Sequence, residues 1–292
     1  MCRLLAWVSR RPSTAGDFGG QRVVSQFTEL ARVHADGWGM AWWDGASDPS
    51  PRRASDPSPR RASGLSPSSS RSTVCAADDP AFTAAWSSVR SDAGIVHLRW
   101  ASPGMAVTEE NCHPFVRGDF ALAHNGGIYP MSRLHQILPP EWEATVRGTT
   151  DSERYTLAVV AGREASGGSV ADVIVDVVVR LFAEWSPSSL NAMCLTPDSV
   201  VVVSAFNPNG QAPVPSQSVD QYYSLGYRES AEGIVVASSG IDQPKSQGWR
   251  LIDNMTAVEI HRRTLAIEYR AVPVEASAPA VPPKPDRAPD LR

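Results

Sequence analysis

Cys2 stands directly after the initiator methionine in Met1-Cys2-Arg3-Leu4-Leu5. With Met1 removed, its thiol shares one residue with a free α-amine, so a single amino acid supplies a nucleophile and a base. The reference pKa of such an amine is about 7.7–8.0, which leaves a neutral fraction near neutral pH, whereas a lysine at about 10.4 stays protonated. A thiol is nucleophilic even at modest thiolate fraction, so acyl transfer is the chemistry that this arrangement suits. The same residue also reads as a small buried hydrophobe at the start of a first strand.

Acyl transfer further needs donors for an oxyanion and groups that select the substrate. Asn125-Gly126 reads either as a hairpin turn or as a side-chain amide and a backbone N–H aimed the same way. Arg99 ends an apolar stretch and offers a planar fork for a carboxylate, with a salt-bridged structural arginine as the alternative. Asp151 precedes a helical pattern, where it serves as an N-cap or as the partner of a cation. Gly37 and Gly39 suggest backbone that passes close to the nucleophile.

Composition narrows the setting. The chain has 292 residues, 42% hydrophobic and 20% charged, with a formal net charge of -4. That length buries a substantial core, and the charge leaves no basic excess for a phosphate backbone, so nucleic acid is not an expected partner. The longest apolar run, Val173 to Phe182, is broken by Asp176 and Arg180, so no membrane span is expected, and the protein is read as cytoplasmic. Cys2, Cys75, Cys112 and Cys194 lack C-x-x-C spacing, so neither a disulfide framework, a metal nor a cofactor is expected.

Several elements must position these residues. Cys2 to Val8 reads as a buried strand, Gln21 to Val33 as an amphipathic helix, and Met40 to Trp43 as a second strand ending at Asp44-Gly45. The segment 46–73 contains an unchanged eight-residue repeat, Ala46 to Arg53 and Ala54 to Arg61, followed by Ser/Pro-rich sequence. It is expected to be disordered, with ordered chain resuming near Val74. Gly94 to Arg99 and Phe120 to His124 read as buried strands. Helices follow from Ser152 to about Arg163 and from Val170 to Glu184.

Short strands are then expected at Asn191 to Leu195, Val200 to Ala205, Tyr222 to Leu225, Gly233 to Ala237, Ala257 to Ile260 and Leu265 to Tyr269. The Pro/Ala-rich tail 273–292 is expected to be disordered. Two helices flanked by two sets of strands suggest an α/β (α+β) domain over 1–272, with two packed sheets covered by helices.

The order Cys2, His34-Ala35-Asp36-Gly37-Trp38-Gly39, His97-Leu98-Arg99-Trp100-Ala101-Ser102, His124-Asn125-Gly126 and Thr149-Thr150-Asp151-Ser152-Glu153 resembles the class II glutamine amidotransferases. That N-terminal nucleophile family includes the glutaminase domains of glucosamine-phosphate synthase and amidophosphoribosyltransferase. The compact H-x-D-G-W-G form is most similar to stand-alone members such as the γ-glutamyl amidohydrolase of ergothioneine biosynthesis. The resemblance implies a four-layer α/β/β/α sandwich of two mostly antiparallel sheets, the N-terminal nucleophile hydrolase fold.

It also implies roles. Cys2 attacks the δ-carbonyl of a γ-glutamyl group, Asn125 and Gly126 form the oxyanion hole, Arg99 takes the substrate carboxylate and Asp151 its amine. Trp100, Ser102 and His113 match positions beside the glutamyl group, while His34 and His124 match motif flanks. Two matches depart from the family: its frequent S-D-T-E is Thr150-Asp151-Ser152-Glu153 here, and Ser102 replaces a common threonine. The sequence shows no ammonia-consuming domain. The expected activity is therefore hydrolysis of a γ-glutamyl amide, with a small-molecule γ-glutamyl substrate. The alternative is a glutaminase subunit that feeds an acceptor enzyme, and the macromolecular partners left open are that enzyme or a homo-oligomer.

Overall fold

The computed structural model describes residues 2–43, 66–102 and 104–274. The order of elements is β1 (Arg3–Ser13), α1 (Ala15–Leu30), β2 (Trp38–Trp42), β3 (Ser68–Ser72), α2 (Pro80–Ser88), β4 (Ser91–Leu98), β5 (Phe115–Arg117), β6 (Phe120–Gly127), α3 (Pro140–Glu143), α4 (Asp151–Ser166) and α5 (Val170–Glu184). The second half adds β7 (Ser189–Leu195), β8 (Ser199–Ser204), α6 (Val219–Tyr223), β9 (Leu225–Glu229), β10 (Gly233–Ser238), β11 (Trp249–Ile252), β12 (Thr256–His261) and β13 (Ile267–Ala271).

The strands form two antiparallel sheets. One has the order β11-β9-β10-β1-β4-β2-β3 and the other β13-β12-β8-β7-β6-β5. Alternation along each strand divides the core into three layers. On β1, Leu4, Ala6 and Val8 face the second sheet, while Leu5 and Trp7 face α1 and α2. On β6, Ala121 and Ala123 face the first sheet, while Phe120 and Leu122 pack under α4 and α5. The result is a four-layer α/β/β/α sandwich, as the resemblance implies.

Several boundaries differ from the sequence reading. The first helix begins at Ala15, where Thr14 and Asp17 form a reciprocal capping box. Helix α2 follows its own cap, Asp79, with proline in the first turn. The expected strand Tyr222 to Leu225 is a short helix followed by a strand, because Ser218 and Gln221 form a capping box that turns the aromatic pair into α6. Strand β11 carries no strong periodic signal and is held by backbone pairing to β9.

The low-complexity insertion ends earlier than expected. Ser68–Ser72 pairs with Trp38–Trp42 as an edge strand, from Trp42↔Ser68 to Trp38↔Ser72. A serine run carries no apolar alternation, but ladder hydrogen bonds need only backbone and tolerate polar side chains at a sheet edge. The Asp44-Gly45 turn and residues 46–65 of the insertion lie outside the described residues, as do residues 275–292 of the tail.

The insertion therefore joins two strands already in register. Each halving of a connection gains about 0.6 kcal/mol in closure entropy. Deleting residues 46–65 is expected to preserve the fold and raise stability by about 1 kcal/mol in urea unfolding. A net loss of stability would contradict this placement.

Candidate active site

The start of β1 is tied down from the far end of the chain. The Leu4 N–H donates to Ser238 Oγ at 3.0 Å, and the Arg3 guanidinium donates to the Cys2 carbonyl at 3.2 Å. Arg3 also lies over the Tyr222 ring, 4.3 Å from its centroid, and burial pushes the Tyr222 phenol up to about 12. These contacts fix Cys2, which is buried, with Sγ 3.9 Å from the Trp100 carbonyl. By alternation with Leu4 and Ala6, the thiol stands on the face of β1 that meets the second sheet.

A small cleft opens beside it, lined by Cys2, Arg99, Trp100, Ser102, His113, Gly126 and Asp151, with Asn111, His124, Thr150 and Ser152 among the other walls. Seven of the eight site residues expected from sequence thus share one cavity. The eighth, Asn125, sits between two lining residues on β6 and shares the inward face of Ala121 and Ala123. Cys2 and Asn125 therefore lie on the two sheet faces that oppose each other.

The structure decides between the alternative readings of several residues. Arg99 is buried and donates to the Ala106 carbonyl at 3.0 Å and the Asp36 carbonyl at 3.4 Å, yet it forms no ion pair among the described residues. Its positive charge is left for something in the cleft. Asp36, in the H-x-D-G-W-G segment, accepts the Ala101 N–H at 2.8 Å and so shapes the loop after Arg99. This positioning role was not foreseen from the sequence.

Asp151 is not the helix cap. Thr150 caps α4 by accepting the Glu153 N–H. The buried Asp151 carboxylate instead accepts the Ile128 N–H at 2.8 Å and the Ser152 N–H at 2.9 Å, and it has no cationic partner among the described residues. Arg99 and Asp151 thus offer one unpaired charge of each sign to the same cavity, which suits an α-carboxylate and an α-ammonium.

Asn125 and Gly126 do not form the expected turn, because β6 continues to Gly127 with Asn125 opposite Asn191 and Gly126 opposite Leu190. Both polar side-chain atoms of Asn125 are buried without a partner among the described residues. A buried amide without partners costs about 1–3 kcal/mol, a cost that a ligand oxygen would offset. Only glycine fits at 126, since a Cβ there would stand 1.8 Å from the Ser189 carbonyl oxygen.

Histidines surround the cleft. The His124 Nε2–H donates to the Ser189 carbonyl at 3.0 Å, so its Nδ1 accepts from the Ser152 hydroxyl at 2.9 Å. His97 Nε2 and His113 Nδ1 are 2.5 Å apart and share one proton. Burial holds both rings well below the usual imidazole range, helped at His97 by the Arg99 charge and at His113 by His97. Burial also lowers His124, against the opposing pull of Asp151. No spacing in the sequence joins His97 to His113, which come from β4 and from the loop before β5.

The glycines of H-x-D-G-W-G act one step removed from the nucleophile. A Cβ at Gly39 would meet the His113 carbonyl oxygen at 2.0 Å, so this glycine lets β2 pass beneath the His113 segment. Gly37 abuts Ser72 in the same way. Trp100 and Ser102 line the cleft half-buried, and the Trp100 ring meets His34 edge-on at 5.6 Å. His135 and His261 lie away from it.

Comparison with known proteins follows the same line. The family model "Glutamine amidotransferases class-II" matches residues 1–191. The glutamine–fructose-6-phosphate aminotransferase of Wigglesworthia glossinidia brevipalpis is 30% identical over 116 residues, which is 40% of this chain and 16% of that enzyme. The chain thus spans about a sixth of that relative. The gamma-glutamyl-hercynylcysteine sulfoxide hydrolase of Mycobacterium tuberculosis is 23% identical over 274 residues, 91% of this chain and 96% of that protein.

Among solved structures, a glutamine aminotransferase class-II domain protein from Silicibacter pomeroyi aligns with a TM-score of 0.55 at 16% identity, covering 92% of this chain and 99% of that one. The glutamine phosphoribosylpyrophosphate amidotransferase of B. subtilis aligns at 0.57 and 15%, covering 94% and 50%. These likenesses show the fold. No helix among the described residues is long and apolar enough to cross a membrane.

The buried imidazoles give a pH prediction. Their folded pKa values lie below the unfolded 6.5, so the unfolded chain binds more protons as pH falls. Their contribution to stability is complete above pH 6.5 and is lost below it, each ring adding a slope of up to about 1.4 kcal/mol per pH unit. Urea unfolding between about pH 6.5 and about pH 5 is expected to show this loss, with a shallower slope in His113→Gln. An equal slope in that variant would show that His113 is not neutral in the folded protein.

Proposed function

The chain belongs to the class II glutamine amidotransferases, and within that family we propose that it hydrolyses a γ-glutamyl amide through a thioester on Cys2. The observation that carries this reading is the cleft in which the Cys2 thiol meets an unpaired buried guanidinium, Arg99, and an unpaired buried carboxylate, Asp151. Such a pair of opposite charges fixes a free amino acid headgroup at both ends, so an α-carboxylate on Arg99 and an α-ammonium on Asp151 would bring the side-chain carbonyl to the sulfur.

In the chain freed of Met1, the α-amine of Cys2 takes the thiol proton as sulfur attacks the δ-carbonyl. The developing oxyanion is met by the amide of Asn125 and the Gly126 N–H. Each such donor is worth about 2.7–4 kcal/mol in comparable sites. The protonated amine then gives its proton to the departing nitrogen, leaving a γ-glutamyl thioester. Water, activated by the same amine, releases glutamate and restores the thiol.

Near end-to-end similarity to a protein named as a γ-glutamyl hydrolase supports hydrolysis as the complete reaction. A second reading draws on the match to part of a glutamine–fructose-6-phosphate aminotransferase: the chain releases ammonia from glutamine for a separate acceptor enzyme. Trp100 and Ser102 bind the glutamyl part in either case.

Offering the isolated protein glutamine and a panel of γ-glutamyl amides, including sulfur-containing conjugates, separates the two. Acceptor-independent turnover of a conjugate supports the hydrolase, turnover only with an acceptor protein supports the ammonia donor, and turnover of none under either condition defeats both. Asp151→Asn removes the charge facing the ammonium while its remaining oxygen keeps the Ile128 N–H. It is expected to lower kcat/KM roughly 10- to 100-fold, mainly through KM, with less than about 1.5 kcal/mol lost from stability. Unchanged kinetics would remove Asp151 from the substrate site.

A further inference from the structure

Beside the cleft lies a second constellation that the hydrolytic reading does not require. Cys2 Sγ, one ring nitrogen of His97 and one of His113 all lie within 4.8 Å of one another. They come from the head of β1, the end of β4 and the loop before β5, so no sequence spacing announces them. One thiolate and two imidazoles form a donor set suited to a borderline-soft divalent cation, with Zn–S near 2.3 Å and Zn–N about 2.0–2.1 Å. A cysteine at a free N-terminus adds a fourth donor, because its amine and thiolate close a five-membered chelate ring.

We propose that Cys2, His97 and His113 form a site for Zn²⁺ or a similar divalent cation, and that the bound metal caps the nucleophile and holds the enzyme reversibly inactive. The geometry needs a small adjustment. His97 Nε2 and His113 Nδ1 stand 2.5 Å apart, whereas two nitrogens on one tetrahedral zinc stand about 3.3 Å apart, so the rings part by somewhat less than an ångström. Among the described residues the outer nitrogen of His113, Nε2, has no hydrogen-bond partner, so this ring can move without breaking another bond.

Protons balance without any oxidant or reductant. The S–H proton leaves to solvent as the sulfur–metal bond forms, and a second leaves if the amine was protonated. The proton shared between the facing nitrogens moves to the outer nitrogen of the ring that held it, so each imidazole gives the lone pair of its facing nitrogen and carries its proton on the outer one. Metal binding stands on this geometry alone. Only its inhibitory consequence rests on Cys2 being the nucleophile proposed above.

Titration of the full chain, freed of Met1, with Co²⁺ tests the site directly. Thiolate ligation is expected to produce a charge-transfer absorption that saturates at one equivalent, is removed by Zn²⁺, and is absent in Cys2→Ser, which changes a single atom of the side chain. In a competition assay, His113→Gln is expected to weaken Zn²⁺ binding on the order of a hundredfold, the share of one ligand in a four-ligand site. Melting temperatures of the metal-free variants confirm that they remain folded.

Absence of the absorption at micromolar protein, or its survival in Cys2→Ser, overturns the proposal. Cys75 is half-buried, so the second outcome would place the metal elsewhere. Hydrolysis that falls in step with Zn²⁺ occupancy and returns with a chelator supports the inhibitory role. Co²⁺ bound through Cys2 in a chain that hydrolyses no γ-glutamyl compound would keep the metal site and defeat the enzymatic reading. Hydrolysis without metal binding would do the reverse.

Discussion

The face-to-face packing of the two sheets governs everything at the catalytic end. Small residues on the opposed faces, Ala6 on β1, Ala93 on β4, and Ala121 and Ala123 on β6, let the sheets approach, and the valines of β8 fill the remaining space. The same alternation that buries these side chains carries Cys2, His97 and Asn125 to the ends of the inward faces. A one-residue slip of β1 or β6 would turn the thiol or the amide toward a helical layer. Register is therefore what makes a site from residues more than a hundred positions apart, and Ser238, Arg3 and Gly126 help hold it.

The cleft differs from other charged parts of the molecule. Away from it, half-buried arginines meet carboxylates, as where Arg117 meets Glu153 and Arg262 meets Asp92. At the site, Arg99 has only carbonyl partners, Asp151 only neutral donors, and Asn125 none among the described residues. Groups left unsatisfied in this way destabilise the empty protein and strengthen the bound one, since a ligand that supplies the missing partners relieves each cost at once. The neutral histidine pair beside Cys2 extends this polar pocket and gives the thiol neighbours with lone pairs.

Much of the molecule could be read from its sequence, for identifiable reasons. Helix α5 matches the expected span from Val170 to Glu184 because Ser169 caps it and a wide apolar face marks its length. The central strands β1, β4 and β6 were visible as apolar runs. Edge elements were not: β3 is a serine run held by backbone bonds, and α6 hides an aromatic pair behind a capping box. The residues lining the cleft were found through ordered motifs, whereas their mutual support was not. The links from Arg3 to Tyr222, from Asp36 to Ala101 and from His97 to His113 join distant segments that only the fold brings together.

The central claim is that the sulfur of residue 2 is the acylated atom and that its own amine is the base. Intact-protein and peptide mass spectrometry after exposure to a diazo ketone analogue of glutamine tests it most directly, with chains carrying and lacking Met1 compared side by side. One adduct per chain is predicted, located on Cys2 and formed only when Met1 is absent. Labelling of another residue, or equal labelling of both forms, would contradict the account.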